Sequence, residues 1–179
     1  MEAGERVQAF EAQVLPHLRA GYTLARWLLR SEQDADDVLQ ESLLRAFRSF
    51  DGFRGGDARL WLLAVVRNAS FSFLESKRGR RESAPYEEEE HGQQGPGRDE
   101  TPEVLLLRSL QQRELEEAVA GLSEEHREAL VLREVEGLSY KEIAQVAGIP
   151  IGTVMSRLAR ARRQVQAALA ARGRTGGTR

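Results

Sequence analysis

The stretch YKEIAQVAGIPIGTVMSRLARAR, residues 140–162, reads as two short helices joined by a tight corner. Ser139 and Glu142 have the spacing of a capping box, and Gly148 closes the first helix. Ile143, Ala144, Val146 and Ala147 give that helix an apolar stripe. In the second helix Val154, Leu158, Ala161 and Val165 recur at steps of four, three and four, one face of a helix. Thr153, Ser156, Arg157, Arg160 and Gln164 follow a similar spacing on another face and are expected to be exposed together. The turn Gly148-Ile149-Pro150 is short, and Ala144 is small enough for a close crossing. This is the helix-turn-helix pattern, whose second helix enters the major groove of duplex DNA. Arginine pairs with guanine edges there, and serine and threonine bond bases or phosphates.

The rest of the chain sets the context. Its 179 residues are 41% hydrophobic and 30% charged, with a formal net charge of -2. The sum hides a strong asymmetry. No acidic residue occurs from Gly152 onward, and a second basic cluster, KRGRR, stands at 77–81. The acids gather in SEQDADD and YEEEE. Such separated poles suit a polyanion at one place and a basic protein at another. There are no cysteines, which excludes disulfides, thiolate metal sites and a cysteine nucleophile. No run approaches the ~18 apolar residues of a membrane span, so no membrane insertion is expected. The polar, acidic start does not read as a secretory signal.

The expected fold is all-α: two small helical domains on a flexible acidic linker. Residues 1–81 carry helical periodicity, as in Val7, Phe10, Val14, Leu15 and Leu18, in Val38, Leu39, Ser42, Leu43, Ala46 and Phe47, and in Leu62, Val65, Val66, Ala69 and Phe73. Ser31 is placed as an N-cap, with Asp34, Asp36 and Asp37 near the positive end of the helix dipole. DGFRGGD, 51–57, is a loop between helices. Residues 82–101 have no apolar period and read as a tether. Residues 102–179 hold four helices, near 102–120 with Thr101 as N-cap, 124–135 with Ser123 as N-cap, 140–147, and 151 to about 171, then a basic tail. Each helical segment is ~70–80 residues, near the lower limit for an independent core.

The N-terminal segment carries the more specific signal. DADDVLQESLLRAFRSF, 34–50, resembles the second conserved region of the extracytoplasmic-function (ECF) sigma factors, which direct bacterial RNA polymerase to promoters. The family pattern Asp-Ala-x-Asp-x-x-Gln-Glu-x-Phe-Leu-Arg-Ala-Trp is met by Asp34, Ala35, Asp37, Gln40, Glu41, Leu44, Arg45 and Ala46, with Leu43 and Phe47 as conservative replacements. WLLAVVRNA, 61–69, is similar to the family's Trp-Leu-x-x-Ile-Ala-Arg-Asn. EGLSYKEIAQVAGIPIGTVMSRLARAR, 136–162, resembles the fourth region. The chain departs from the family at Ser72 and Glu75, where Asp and Arg are frequent, so neither receives a DNA role.

The resemblance implies partners and sites. Asp34, Asp37, Gln40, Glu41, Leu44 and Arg45 would dock on the clamp helices of core RNA polymerase. The minus-ten element of promoter DNA would meet Phe53, Arg54, Arg59, Arg67, Asn68, Lys77 and Arg78. Phe53 is either a stacking platform for a flipped base or a core residue, and Trp61 is read as core. The minus-thirty-five element would be read by Thr153, Met155, Ser156, Arg157, Ala159, Arg160 and Arg163. Met155 and Ala159 offer only apolar contacts, for example to thymine methyls. Glu87 to Glu90 either enter the polymerase cleft or belong to a plain tether. An anti-sigma factor is a further implied partner, and the implied setting is the cytoplasm.

Two other readings compete. One is a helix-turn-helix regulator that works without binding core polymerase. The other is an enzyme, such as a helical carboxylate-bridged metal protein. Its one Glu-x-x-His match is Glu88 with His91, alone in the linker, whereas such sites draw several ligands from facing helices. No catalytic residue, cofactor or metal is expected.

Overall fold

A computed structural model of the chain describes residues 3–81 and 102–175. Among these residues every regular element is helical. The order is α1 (Ala3–Val14), a 3-10 turn (Leu15–His17), α2 (Leu18–Leu29), α3 (Glu32–Ser49), a 3-10 turn (Phe50–Gly52), α4 (Ala58–Arg81), α5 (Pro102–Ala120), α6 (Glu124–Glu134), α7 (Tyr140–Ala147) and α8 (Ile151–Thr175). The expected linker, with Glu87–Glu90 and the Glu88/His91 pair, lies outside the described residues, as does the Thr101 cap.

Local sequence explains most boundaries. The apolar steps from Val7 through Leu18 run across Pro16, which has no N–H and breaks or kinks a helix interior. The chain therefore makes a 3-10 turn there and starts α2 afresh. Ser31 caps α3 by accepting the Asp34 N–H at 3.2 Å. The expected capping box of α7 is complete. Ser139 N–H donates to Glu142 Oε2 at 2.7 Å, and Glu142 N–H donates to Ser139 Oγ at 3.2 Å. Gly148 ends α7 with φ of 67°, a left-handed conformation that a Cβ disfavours.

Helices α1 to α4 form one module around Phe10, Val14, Leu29, Val38, Phe50, Leu62 and Val66. Gly21 lets α2 approach α3 and α4 closely, since a Cβ there would lie 3.2 Å from Leu39 and 3.3 Å from Val66. Helices α5 to α8 form the second module, with Val119, Leu122, Leu130, Ala161 and Val165 packed together.

The sequence does not indicate that the two modules also share a core. Leu24 and Leu28 of α2 and Leu60 and Leu63 of α4 join one buried cluster with Val131, Leu132, Ile143 and Val146 of α6 and α7. Each module is too small to cover its own apolar surface, and each covers the other's. A fully buried Leu contributes about 1.5–3 kcal/mol relative to an exposed one, so four of them are a substantial part of a domain's net stability.

Candidate polymerase and nucleic-acid interfaces

Helix α3 turns two different faces outward and inward. Ala35, Val38, Ser42 and Ala46 are buried against the module core. Asp37, Gln40, Glu41, Leu44 and Arg45 lie on the other side, and all five are exposed. Leu44 stands out, with 58% of its surface accessible on a face otherwise polar. Arg45 and Glu41 pair along the helix. Asp34 differs from its neighbours: it is half-buried and accepts from Lys77 Nζ of α4 at 3.0 Å. That pair brings together one residue expected at polymerase and one expected at DNA.

The minus-ten candidates divide more sharply. Arg54 and Asn68 are exposed. Phe53 is half-buried, its ring centroid 4.9 Å from Trp61 and 6.1 Å from Phe50. It therefore forms the outer edge of an aromatic cluster, anchored in the core while keeping one side accessible. Arg59, Arg67 and Arg78 are all engaged by glutamates of the second module. Arg59 Nη2 donates to the carbonyl oxygen and to Oε2 of Glu136, each at 2.7 Å. Arg67 Nε donates to Glu128 Oε1 at 2.6 Å, and its guanidinium lies over the Phe71 ring. Arg78 Nη2 donates to Glu124 Oε1 at 2.6 Å.

On α8, Val154, Leu158, Ala161 and Val165 are buried as expected. Met155, Ser156, Ala159, Arg160 and Arg163 are exposed, and Thr153 is half-buried. Arg157 departs from the expected common exposure. Its side chain is only 19% accessible and lies 3.8 Å from Glu125 and 3.9 Å from Glu128. Its Nη1 is buried without a hydrogen-bond partner. The sequence puts Arg157 on the outer face of α8, but α6 packs alongside and covers it.

Two neighbouring residues, unremarked in the sequence, organise this junction. Arg127 is buried and donates to Leu28 O at 3.1 Å, Ala120 O at 2.8 Å and Leu122 O at 2.7 Å. It thus satisfies carbonyls at the end of α2 and at the α5–α6 corner, groups left unpaired by helix termination. Burial lowers its pKa, yet a guanidinium stays charged. Glu128 is 1% exposed, and burial raises its pKa while Arg67 opposes the rise. Both stand on a helix whose pattern marks them as surface charges. Arg67 for Glu128 and Leu28 O for Arg127 come from far away in sequence, and the nearer partners of Arg127 are backbone carbonyls, so no side-chain pattern reveals either residue.

Among the described residues no group of three or more acidic or histidine side chains converges as a metal site. No helix there is long and apolar enough to cross a membrane.

Comparison with known proteins places this geometry. Residues 14–80 match the family described as Sigma-70 region 2, and residues 112–165 match Sigma-70, region 4. The RNA polymerase sigma-H factor of Pseudomonas aeruginosa is 36% identical, over 92% of this chain and 91% of its own length. The chain belongs to the ECF group of the sigma-70 family. It is a promoter-specific initiation factor that binds core RNA polymerase. The ECF RNA polymerase sigma-E factor of Haemophilus influenzae is 37% identical, over 90% of both chains. Among solved structures, the sigma factor RpoE of Bartonella quintana, in complex with the anti-sigma factor NepR, has 28% identity and a TM-score of 0.71. It covers 91% of this chain and 98% of its own. CnrH, in complex with the cytosolic domain of CnrY, has 26% identity and a TM-score of 0.63, over 92% and 89%.

Proposed function

We propose a division of labour between the two modules of this sigma factor. The module ending at residue 81 binds core polymerase through α3 and the minus-ten element through the 51–57 loop and α4. The module from residue 102 onward binds the minus-thirty-five element through α8. The observation that carries the reading is the outer face of α3, where the exposed Leu44 stands among Asp37, Gln40, Glu41 and Arg45. An apolar anchor ringed by charge is the composition of a protein interface rather than of a solvated helix. On α8, Met155 and Ala159 lie exposed between Ser156, Arg160 and Arg163, so apolar and hydrogen-bonding groups for base edges come from one surface. The protein has no catalytic role of its own and works in the cytoplasm, where polymerase is.

An anti-sigma factor is the further partner. The similar RpoE structure holds such a chain, the anti-sigma factor NepR, and the similar CnrH structure holds the cytosolic domain of a second protein, CnrY. An apolar groove of about 330 Å³ runs between α2, α5, α6 and α8, lined by Trp27, Leu115, Val119, Leu130, Val135 and Val165. It suits the apolar stripe of a partner helix.

The test separates the two surfaces. Asp37→Ala with Leu44→Ala should weaken core polymerase binding while leaving the folded chain intact. Arg157→Ala with Arg160→Ala should spare polymerase binding and weaken promoter recognition, by about 1–3 kcal/mol for each arginine that reads a base edge. Pull-down with core polymerase and promoter gel shifts of the assembled complex read the two effects. Equal loss of polymerase binding in both pairs contradicts the division.

A further inference from the structure

The arginines of α8 face two ways. Arg160 and Arg163 lie on the exposed side with Met155, Ser156 and Ala159. Arg157 follows the buried Val154 by three residues and precedes the buried Ala161 by four, so the helix turns it toward its packed flank. There its Nη2 lies 3.8 Å from Glu125 and its Nη1 3.9 Å from Glu128, both on α6. Arg162 repeats the arrangement further along, where its Nη2 donates to Glu134 Oε1 at 2.6 Å. The two arginines thus meet α6 in order along both helices.

The side chain of Glu128 is 1% exposed. Burying a carboxylate is costly unless cations meet it. Burial raises the Glu128 pKa, and Arg67 and then Arg157 oppose that rise. Arg67 belongs to the first module, whereas Arg157 shares the second module with Glu128. Arg157 is therefore the counter-charge that Glu128 keeps however the modules sit. To reach a base edge, this guanidinium has to leave two carboxylates and strand one of them away from water. Its Nη1 is buried without a hydrogen-bond partner. A lone buried donor is costly, and the acceptor facing this one is the Glu128 carboxylate, so the contact gains by tightening inward.

We propose that Arg157 is a positioning residue of the helix-turn-helix and not a reader of DNA: with Glu125 and Glu128 it fixes the angle at which α8 presents Met155, Ser156 and Arg160 to the groove. The proposal rests on the assignment of α8 to the minus-thirty-five element made above. Base-edge contacts need placement to within about 0.5 Å, and the setting of the second helix decides which side chains reach the bases.

The test uses the full chain assembled with core polymerase, on a promoter that the wild-type complex selects from a random library. Binding is measured with the minus-thirty-five element intact and scrambled, and the ratio of the two affinities isolates α8. Arg157→Met is compared with Glu125→Gln plus Glu128→Gln, separately and combined, and thermal melts report folding. Each change should lower the ratio by about fivefold, the size of an ordinary coupling between contacting charges. Combining them should lower it little further. Arg157→Lys, which keeps a charge beside the glutamates, should recover much of the loss. In Arg157→Met the slope of log affinity against log salt should hold its wild-type value, whereas loss of a direct phosphate contact changes it by about 0.9. If Arg157 reads DNA, removing the carboxylates frees it. The glutamate variant then raises the ratio, and Arg157→Met stays fully costly in that background; either result overturns the proposal. A lowered melting temperature with an unchanged ratio also overturns it and leaves Arg157 as a structural tie. Where Glu128→Gln prevents folding, Glu125→Gln alone, at an exposed position, must lower the ratio by a smaller factor. Failure of the α8 assignment looks different, because the wild-type complex is then indifferent to scrambling.

Discussion

At the scale of single residues, Arg127 shows how one buried charge ties distant parts of the chain. Its guanidinium donates to carbonyls at the end of α2 and at the corner between α5 and α6. A planar fork with five donors can do this where a lysine cannot. Arg127→Met keeps the apolar stem and removes the donors, so several buried carbonyls are left without partners. The expected cost is on the order of 3 kcal/mol, from the missing hydrogen bonds to a charged group and the unsatisfied acceptors. Urea denaturation of the variant checks it, and Arg127→Lys should recover only part of the loss. Phe53 makes a different point. Its sequence context allows either a core ring or an exposed platform, and the structure places it between these, against Trp61 and half open to solvent. Side-chain type alone left the choice open because a loop aromatic next to a helix start satisfies both.

At the scale of elements, local chemistry sets the helices well. The caps at Ser31, Ser123 and Ser139 and the left-handed Gly148 all fall where the residues suggest. The helix-turn-helix is legible because its apolar stripe, capping box and closing glycine are neighbours in sequence. Glu142 carries a titratable part of that legibility. Its hydrogen bonds with the Ser139 backbone and side chain lower its pKa. A carboxylate lowered in the folded state stabilises the fold above its unfolded value and loses that contribution as the pH falls through the folded one. Wild type should therefore lose stability between about pH 5 and pH 3 more steeply than Glu142→Gln, which no longer titrates. Thermal melts across that range measure the difference, and parallel curves would exclude a role for the capping box in acid sensitivity. The boundary between α1 and α2 is equally local. Pro16 interrupts a stripe that otherwise continues, and periodicity counts apolar positions without seeing a missing N–H.

At the scale of the whole molecule, the two modules are one packed body in this arrangement, through Leu24, Leu28, Leu60 and Leu63 against Val131, Leu132, Ile143 and Val146. Under the proposed assignment of one promoter element to each module, with the two elements about 25 base pairs or about 85 Å apart, this packing is expected to open when core polymerase binds. Dyes on single introduced cysteines, one per module, are simple to place because the native chain has none. Their separation should roughly double when core polymerase is added, and an unchanged transfer efficiency would show that the modules stay joined. The sequence by itself determined the helices, the helix-turn-helix, the outer face of α3 and the family, because each rests on residues close together in the chain. Only the tertiary structure decided that Arg59, Arg67, Arg78 and Arg157 face glutamates of α6 and its following turn, and that Arg127 and Glu128 are buried. Those facts depend on how two small modules cover each other's apolar surfaces, and a periodic pattern records that a face is apolar without recording what will cover it.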